Sequence, residues 1–154
     1  MQSMMKALAA GAALSAVVLA GAQEKKIARS ALPPAVEKAV QVQSGGATVK
    51  GFSEEREKGQ TFYEAEMIVD GHSKDVLFDG QGNVAEVEEQ VVLSSLPADV
   101  KAGLEAKAAK GRITKVESIT KKGSLVAYEA QIFTNGKRSE VQVGPDGKAL
   151  AHEE

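Results

Sequence analysis

Residue types that carry out catalysis or bind transition metals are scarce in this sequence, which contains no cysteine and only two histidines, His72 and His152. A zinc site needs thiolate or imidazole ligands close together, so we predict two surface histidines and no metal site. Ser44, Ser94 and Ser95 lie in no recognisable nucleophile motif. We therefore expect a protein without enzymatic activity and without a cofactor, and a hydrolase is the disfavoured alternative.

One short segment offers oxygen ligands at alternate positions. Asp79, Gln81 and Asn83 are separated by Gly80 and Gly82, a spacing faintly similar to that of a calcium-binding loop. The segment is too short for such a loop and lacks the closing bidentate glutamate, whereas the two glycines suit an ordinary turn. We predict a turn here.

Composition limits the classes of partner and the kind of core. The chain has 154 residues, which suffices for one domain or two small ones, and its net charge of −2 gives no electrostatic reason to expect nucleic acid or an anionic membrane as partner. Apolar residues make up 43% of the chain, but aromatic residues only 4% and tryptophan is absent. The core must therefore consist mainly of aliphatic side chains.

The first 22 residues have the pattern of an export signal. Lys6 precedes a stretch of small and apolar residues at 7–20, and Ala-Gly-Ala at 20–22 is a small-x-small cleavage pattern. The stretch is shorter than the roughly 20 residues that span a bilayer, which disfavours the alternative of a membrane anchor. We predict a signal peptide at 1–22, a mobile lead-in at 23–30 and a periplasmic or secreted mature protein without a membrane span.

An internal repeat organises the rest of the chain. The Leu-Pro pair at residues 32–33 recurs 64 residues later, and the offset becomes 65 from Tyr63 onward. One residue has therefore been gained near residues 124–127, and we expect it in a hairpin loop, because an insertion inside a strand would reverse its faces. The predicted units are residues 31–93 and residues 94–154.

Each unit begins with a helix that has one apolar stripe. In the second unit Leu96, Val100, Leu104 and Ala108 recur at intervals of four, and the first unit has the same spacing. A one-sided stripe means that the helix covers another layer, most simply a sheet. Three strands follow in each unit, with residues 84–89 as a candidate fourth. We predict an α+β fold with one antiparallel sheet of six to eight strands and both helices on one face.

The strongest strand pattern is a hairpin in each unit. Asp-Gly at residues 70–71 and Asn-Gly at residues 135–136 suit tight turns in which both residues have positive φ. With these turns, facing residues of the two strands are apolar on the same side of the sheet. A spacing of three at residues 49–52 and 113–116 also predicts a bulge in the first strand of each unit. The predicted core residues of the hairpins are Tyr63, Ala65, Met67, Val76, Phe78, Tyr128, Ala130, Ile132, Val141 and Val143.

These motifs together resemble the PepSY-like domains. The Leu-Pro helix, a strand, a glycine turn, Tyr-Glu-Ala at residues 63–65 and 128–130, and the Asp-Gly or Asn-Gly turn occur in the same order in both units. The chain is most similar to tandem exported proteins with a fold like that of beta-lactamase inhibitor protein. Asp-Gly-Gln-Gly at residues 79–82 replaces the Asp-x-x-Thr-Gly ending of many PepSY units, which favours this inhibitor-like branch.

The resemblance carries expectations about fold and function. It implies a helix-plus-sheet unit used twice, in an exported protein without catalytic residues. It also implies that the protein inhibits or regulates a peptidase, or binds another envelope protein. It assigns no functional residues, because the matching positions are turn glycines and core positions.

The outer face of the hairpins, opposite the predicted core, is the candidate binding site. Glu66 is expected directly opposite Asp75, an arrangement of like charges that is unfavourable by some tenths of a kcal/mol. We predict that this face binds a protein or peptide, with the acids selecting a basic partner. A solvated face without function is the simpler interpretation, and binding of a small molecule or a cation is the second functional alternative. The candidate residues are Glu64, Glu66, Ile68, Asp75, Leu77, Glu129, Gln131, Phe133 and Glu140.

Overall fold

A computed structural model describes residues 23–154, which form eight β-strands and two α-helices. Short 3-10 helices at Arg29–Ala31 and Leu93–Ser95 precede the α-helices. The predicted signal peptide, residues 1–22, lies outside the described residues. In chain order the elements are β1 (Gln23–Ile27), α1 (Pro34–Ser44), β2 (Thr48–Glu57), β3 (Gln60–Val69), β4 (His72–Asp79), β5 (Val84–Gln90), α2 (Ala98–Ala108), β6 (Arg112–Lys121), β7 (Ser124–Thr134) and β8 (Lys137–Val143).

All eight strands belong to one antiparallel sheet, and each strand pairs with its neighbours in sequence. β5 confirms the candidate fourth strand of the first unit, and it pairs with β6, so that one sheet runs through both predicted units. Residues 149–154 form no strand. The predicted α+β class and the single antiparallel sheet are confirmed.

The prediction of a mobile lead-in at residues 23–30 is wrong for its first part, which forms β1. This strand pairs with β2 from Gln23 opposite Arg56 to Ile27 opposite Phe52. Ile27 packs against the first core cluster, which anchors the end of the strand. The sequence of β1 contains a single apolar residue, so its strand character depends on the exposed edge of β2 rather than on its own pattern.

The two helices cover the same face of the sheet. Val36 and Val40 of α1 are fully buried against β3 and β4, and Val100 and Leu104 of α2 are fully buried against β6, β7 and β8. Gly45 follows the last residue of α1 and has a φ of 44°, as expected for a glycine that caps a helix. Two core clusters lie on one side of the sheet. The other side carries no helix, although Ile119 and Ala127 are fully buried on it.

Both hairpins have the predicted turns and register. The four turn residues of the Asp-Gly and Asn-Gly dipeptides have positive φ. Tyr63 lies opposite Phe78 in the first hairpin, and Tyr128 lies opposite Val143 in the second. The predicted core face of each hairpin is therefore the face that the helices cover. The predicted outer residues accordingly lie on the helix-free side.

The predicted bulges are present, and the inserted residue of the second unit forms another. Register shifts occur between Val49 and Gly51 and between Ile113 and Lys115. A further shift leaves Val126 of β7 without a partner, while the preceding turn keeps two residues. The expectation of an insertion in the hairpin loop is thus wrong. A bulge absorbs the extra residue inside the strand and preserves the faces on both sides of it.

Each helix also packs against the turn that follows the third strand of its unit. A Cβ atom on Gly82 would lie 2.5 Å from the carbonyl oxygen of Ala35 in α1, and one on Gly147 would overlap the carbonyl oxygen of Asp99 in α2. Only glycine permits this approach at either position. The helix position is therefore determined by backbone contact as well as by side-chain packing.

We expect Gly147→Ala to lower the free energy of unfolding by about 2 kcal/mol, because it adds steric overlap to the cost of positive φ. Gly136→Ala is a matched control: φ is 77° at Gly147 and 79° at Gly136, but nothing lies within 4 Å of a Cβ atom on Gly136. The control should lose only about 1 kcal/mol. Urea unfolding of both variants measures the difference, and equal losses would contradict the close contact with α2.

Candidate functional site

The helix-free face of the sheet is crowded with carboxylates. Strand pairing places Glu66, Asp75 and Glu88 directly opposite one another on β3, β4 and β5, and Glu117 directly opposite Glu129 on β6 and β7. Facing residues of paired strands share a side of the sheet. We call this surface the acidic face, defined by the residues Glu64, Glu66, Asp75, Glu86, Glu88, Glu117 and Glu129.

All nine candidate residues predicted from the sequence lie on this helix-free side, in two groups. One group is on β3 and β4, and the other is on β7 and β8. The strands between them, β5 and β6, contribute Glu86, Glu88 and Glu117, which the sequence analysis missed. The signal was present, because Glu86 and Glu88 flank Val87 and Glu117 follows Val116, both of which contact the core. It could be interpreted only once β5 was known to pair with β6.

The centre of the acidic face is buried, which differs from the solvated surface that the sequence suggested. Glu117 is 1% exposed and Glu129 is 2% exposed. The amide of Gln142 donates to Oε2 of Glu129 over 2.9 Å, and Oε1 of Gln142 accepts from the backbone N–H of Glu154 over 2.8 Å. Within residues 23–154, Oε1 of Glu129 has no hydrogen-bond partner. Burial makes the charges of this region more costly than charges on an open surface.

Three lysines neutralise part of the acidic face. Nζ of Lys26 lies 2.7 Å from Oε1 of Glu66, and Nζ of Lys115 lies 2.5 Å from Oε1 of Glu117. Nζ of Lys121 lies 3.6 Å from Oε2 of Glu86. In the described part of the chain, the other four carboxylates form no ion pair with a basic side chain. These four are Glu64, Asp75, Glu88 and Glu129.

The uncompensated carboxylates hold protons more tightly than usual. Burial raises the pKa of Glu64 to about 7, although Ser53 donates a hydrogen bond that lowers it. Burial also raises the pKa of Glu129 to about 7 and that of Asp75 to about 6. The pKa of Glu88 is raised by burial and further by the neighbouring acids. Near neutral pH these groups therefore keep protons that ordinary carboxyl groups would have lost.

Three residues of the acidic face come close enough together to share a ligand. One carboxylate oxygen from each of Asp75, Glu88 and Glu117 lies within 4.8 Å of the others. The three residues belong to the adjacent strands β4, β5 and β6, so their backbone positions are held by the sheet. Such a group of oxygens could hold a cation.

An open cavity of about 640 Å³ lies at one end of the helix-free side. Phe62 and Leu77 contribute apolar surface to it, whereas Glu86, Lys121 and Lys122 contribute charge. Leu77 and Glu86 face each other across β4 and β5, so the cavity is continuous with the acidic face. The cavity can accommodate an apolar side chain beside the carboxylates.

The segment from Asp79 to Asn83 is a turn, as predicted. Oδ1 of Asp79 accepts hydrogen bonds from the backbone N–H groups of Gln81 and Asn83, and its Oδ2 accepts from the side-chain amide of Asn83. The carboxylate is thus saturated by donors of its own turn, and these bonds lower its pKa. This arrangement gives the oxygens a structural role.

The two histidines are exposed, and two of the serines considered from the sequence are bonded locally. His72 and His152 are exposed, as predicted. The hydroxyl of Ser44 donates to the carbonyl of Gln41, and that of Ser95 donates to the carbonyl of Val92. Each of these serine hydroxyls is bonded to the backbone three residues earlier.

No protein-family model matches the chain, and no curated protein is detectably similar to it in sequence. Solved structures with a similar fold include a candidate periplasmic protein of Bacteroides eggerthii, with a TM-score of 0.62 and 18% identity over 77% of this chain and 86% of that chain. A DUF2874 family protein of Bacteroides ovatus has a TM-score of 0.60 and 17% identity, with 77% and 84% covered. A BLIP-like protein of Bacteroides fragilis has a TM-score of 0.55 and 21% identity, with 77% and 83% covered.

At these identities the likeness is one of fold. It supports the beta-lactamase-inhibitor-like fold that the sequence resemblance implied. The location given for the Bacteroides eggerthii protein also agrees with the predicted periplasmic or secreted location. Among residues 23–154 there is no helix with the length and apolar character needed to cross a membrane.

Proposed function

We propose that the protein is a non-catalytic binding module of the periplasm, of the PepSY-like type, and that its acidic face binds a basic segment of another envelope protein. The observation that carries the proposal is the uncompensated charge of a sheet face that no helix covers. Four carboxylates of this face form no ion pair within the described residues. Lysine or arginine side chains of a partner would pair with the three that are only half-buried, which are Glu64, Asp75 and Glu88. Inhibition or regulation of a peptidase is the form of binding that the sequence resemblance favours.

Apolar side chains beside the acids provide the contact area that charge alone lacks. Phe133 is 39% exposed, and the guanidinium of Arg112 lies 6.0 Å from the centre of its ring. Ile68 and Leu77 are half-buried on the same side of the sheet. Interfaces commonly combine such apolar anchors with surrounding polar contacts. The expected partner segment therefore alternates basic and apolar residues.

Support for a protein partner also comes from the fold. The BLIP-like protein of Bacteroides fragilis is similar in architecture, and beta-lactamase-inhibitor-like folds are what the sequence resemblance implied. The absence of catalysis is part of the proposal, and the local hydrogen bonds of Ser44 and Ser95 are in line with it. Export by the predicted signal peptide would place the module in the envelope.

We expect the double substitution Ile68→Ser and Phe133→Ser to weaken partner binding at least tenfold while Tm changes by less than about 3 °C, because neither side chain belongs to the core clusters. The measurement is affinity capture from the envelope fraction, followed by titration of the captured protein at two salt concentrations. Binding to a basic partner should weaken as salt is raised.

Val42→Ser is the matched control, because Val42 is 72% exposed but belongs to α1, on the other side of the sheet. It should bind like the wild type. Equal capture by the double variant and the wild type would refute the assignment of the binding face, and binding that is insensitive to salt would refute a basic partner.

A further inference from the structure

The centre of the acidic face combines two independent features that point to a cation. The first is the group formed by Asp75, Glu88 and Glu117, in which one oxygen of each residue lies within 4.8 Å of the others. Oxygen ligands of Ca²⁺ lie roughly 2.3–2.6 Å from the ion, so two ligands on opposite sides of it are up to about 5 Å apart. These three oxygens could therefore surround one ion without movement of the backbone.

The second feature is the unpartnered oxygen of Glu129. Glu129 is 2% exposed, and its Oε2 accepts a hydrogen bond from the side-chain amide of Gln142. Its Oε1 has no hydrogen-bond partner within the described residues. Glu129 lies directly opposite Glu117, on the same side of the sheet, and its charge acts on Glu88. A buried carboxylate oxygen without a donor is costly unless a water or an ion satisfies it. The position of Glu129 beside the group makes an ion the natural partner.

The charges around the group are also unbalanced. Among the described residues, one basic side chain forms an ion pair with this group: Lys115 contacts Glu117. Ser73 donates a hydrogen bond to the same oxygen of Glu117 over 3.3 Å. The other charged groups that act on Asp75, Glu88 and Glu129 from outside the four acids are themselves acidic, and they are Glu66, Glu86, Glu140 and Glu153. A divalent cation would leave the four carboxylates and Lys115 with a combined charge of only one minus.

We propose that Asp75, Glu88 and Glu117 bind one calcium ion, and that Oε1 of Glu129, which lies outside their group, reaches the same ion by rotation of its side chain. All four candidate ligands are carboxylate oxygens, which suit Ca²⁺ and Mg²⁺ rather than Zn²⁺. Ca²⁺ is favoured over Mg²⁺ because it tolerates the irregular geometry of side chains from four different strands, whereas Mg²⁺ requires a nearly ideal octahedron. This inference does not depend on the proposed protein partner, although the ion would occupy Asp75 and Glu88, which a partner would otherwise contact.

The sequence analysis predicted no metal site, and the reason for the difference is spatial. Metal-ligand patterns are recognised from residues close together in the chain, whereas Asp75 and Glu88 lie on consecutive strands and Glu117 lies beyond α2. Only the pairing of β4 with β5 and of β5 with β6 brings them together.

The test uses the full mature chain, stripped with a chelator and titrated with CaCl₂ or MgCl₂ at pH 8. We expect 1 mM Ca²⁺ to raise Tm by at least about 4 °C and to bind with one site by calorimetry. Glu88→Gln should abolish this shift, and its cation-free Tm should equal or exceed that of the wild type, because the amide removes repulsion among the acids. Glu129→Gln should weaken Ca²⁺ binding about tenfold.

Glu89→Gln is the matched control, since Glu89 lies on the same strand but pairs with Lys74 on the opposite face. It should keep the full Ca²⁺ shift. Asp75→Asn repeats the test at a second ligand if Glu88→Gln does not fold. The proposal would be overturned if Ca²⁺ did not raise the Tm of the wild type, or if it still raised the Tm of both ligand variants. An equal rise with Mg²⁺ would overturn the choice of Ca²⁺. Partner capture in the presence of chelator remains a separate measurement, so failure here would not be confused with failure of the proposed function.

Discussion

Thermal stability of the cation-free protein should fall as pH rises from 5 to 8, with a decrease in Tm of about 5–10 °C. The direction follows from the carboxylates of the acidic face. The folded state raises the pKa of Glu64 from the ordinary 4.5 to about 7, chiefly through burial. Between these values the folded state binds more protons than the unfolded state, so the free energy of unfolding decreases with rising pH.

The size of the effect also follows from Glu64. Its raised pKa corresponds to roughly 2–3 kcal/mol between pH 5 and pH 8, at about 1.4 kcal/mol per pH unit over the interval in which the protonation states differ. Asp75 and Glu129 have raised pKa values and act in the same direction. Carboxylates with lowered pKa values, such as Asp79, act in the opposite direction but only below about pH 4.5. Glu55 and Glu140, whose pKa values are also raised by burial, add to the same trend.

The measurement is a series of thermal melts in chelator-containing buffers, with wild type and Glu64→Gln compared at each pH. The variant retains an acceptor for Ser53 but cannot ionise, so its Tm should depend less on pH and should exceed that of the wild type at pH 8. Glu105→Gln, an exposed change on α2, should leave the wild-type slope unchanged. A wild-type Tm that is constant or rises over this range would show that the acidic face is hydrated and unstrained.

Phe78→Ala should lower the free energy of unfolding by about 3–5 kcal/mol, the usual cost of removing a buried aromatic side chain. Phe78 is completely buried in the first core cluster, opposite Tyr63 and below α1. Because few aromatic residues are available to this protein, neighbouring aliphatic side chains must fill the cavity, and they can do so only in part. Urea unfolding followed by circular dichroism measures the loss.

Phe133→Ala is the matched control, because Phe133 is also a strand phenylalanine but points to the helix-free side and is partly exposed. Its loss should cost at most about 1 kcal/mol. Comparable losses for the two variants would mean that the helix-covered and helix-free faces have been exchanged. Since β5 pairs with β6, both variants should unfold in a single transition.

Local features of the fold were predictable because they depend on residues close together in sequence. Asp70-Gly71 specifies a turn with positive φ, and the turn sets the register in which Tyr63 faces Phe78. That register determines which side of each hairpin the helix covers. The same reasoning placed Glu66 opposite Asp75, as the structure confirms.

Features without a local pattern were missed or misplaced. β1 has one apolar residue and becomes a strand because β2 offers an unpaired edge. The inserted residue of the second unit forms a bulge at Val126. An insertion is tolerated either in the hairpin turn or as a bulge in the strand, and the pairing of β7 with β6 decides between the two. The burial of Glu117 and Glu129 likewise depends on what surrounds them in space.

The sequence by itself determined the two helices, the hairpins and the acidic character of their outer side, because spacing along a helix or strand dictates which side chains share a face. Only the tertiary structure decided that this side forms one continuous surface centred on β5 and β6. The pairing of these strands links residues that are far apart in the chain, and no local pattern encodes it. That pairing joins Glu117 to Asp75 and Glu88, and so turns scattered carboxylates into a candidate binding site.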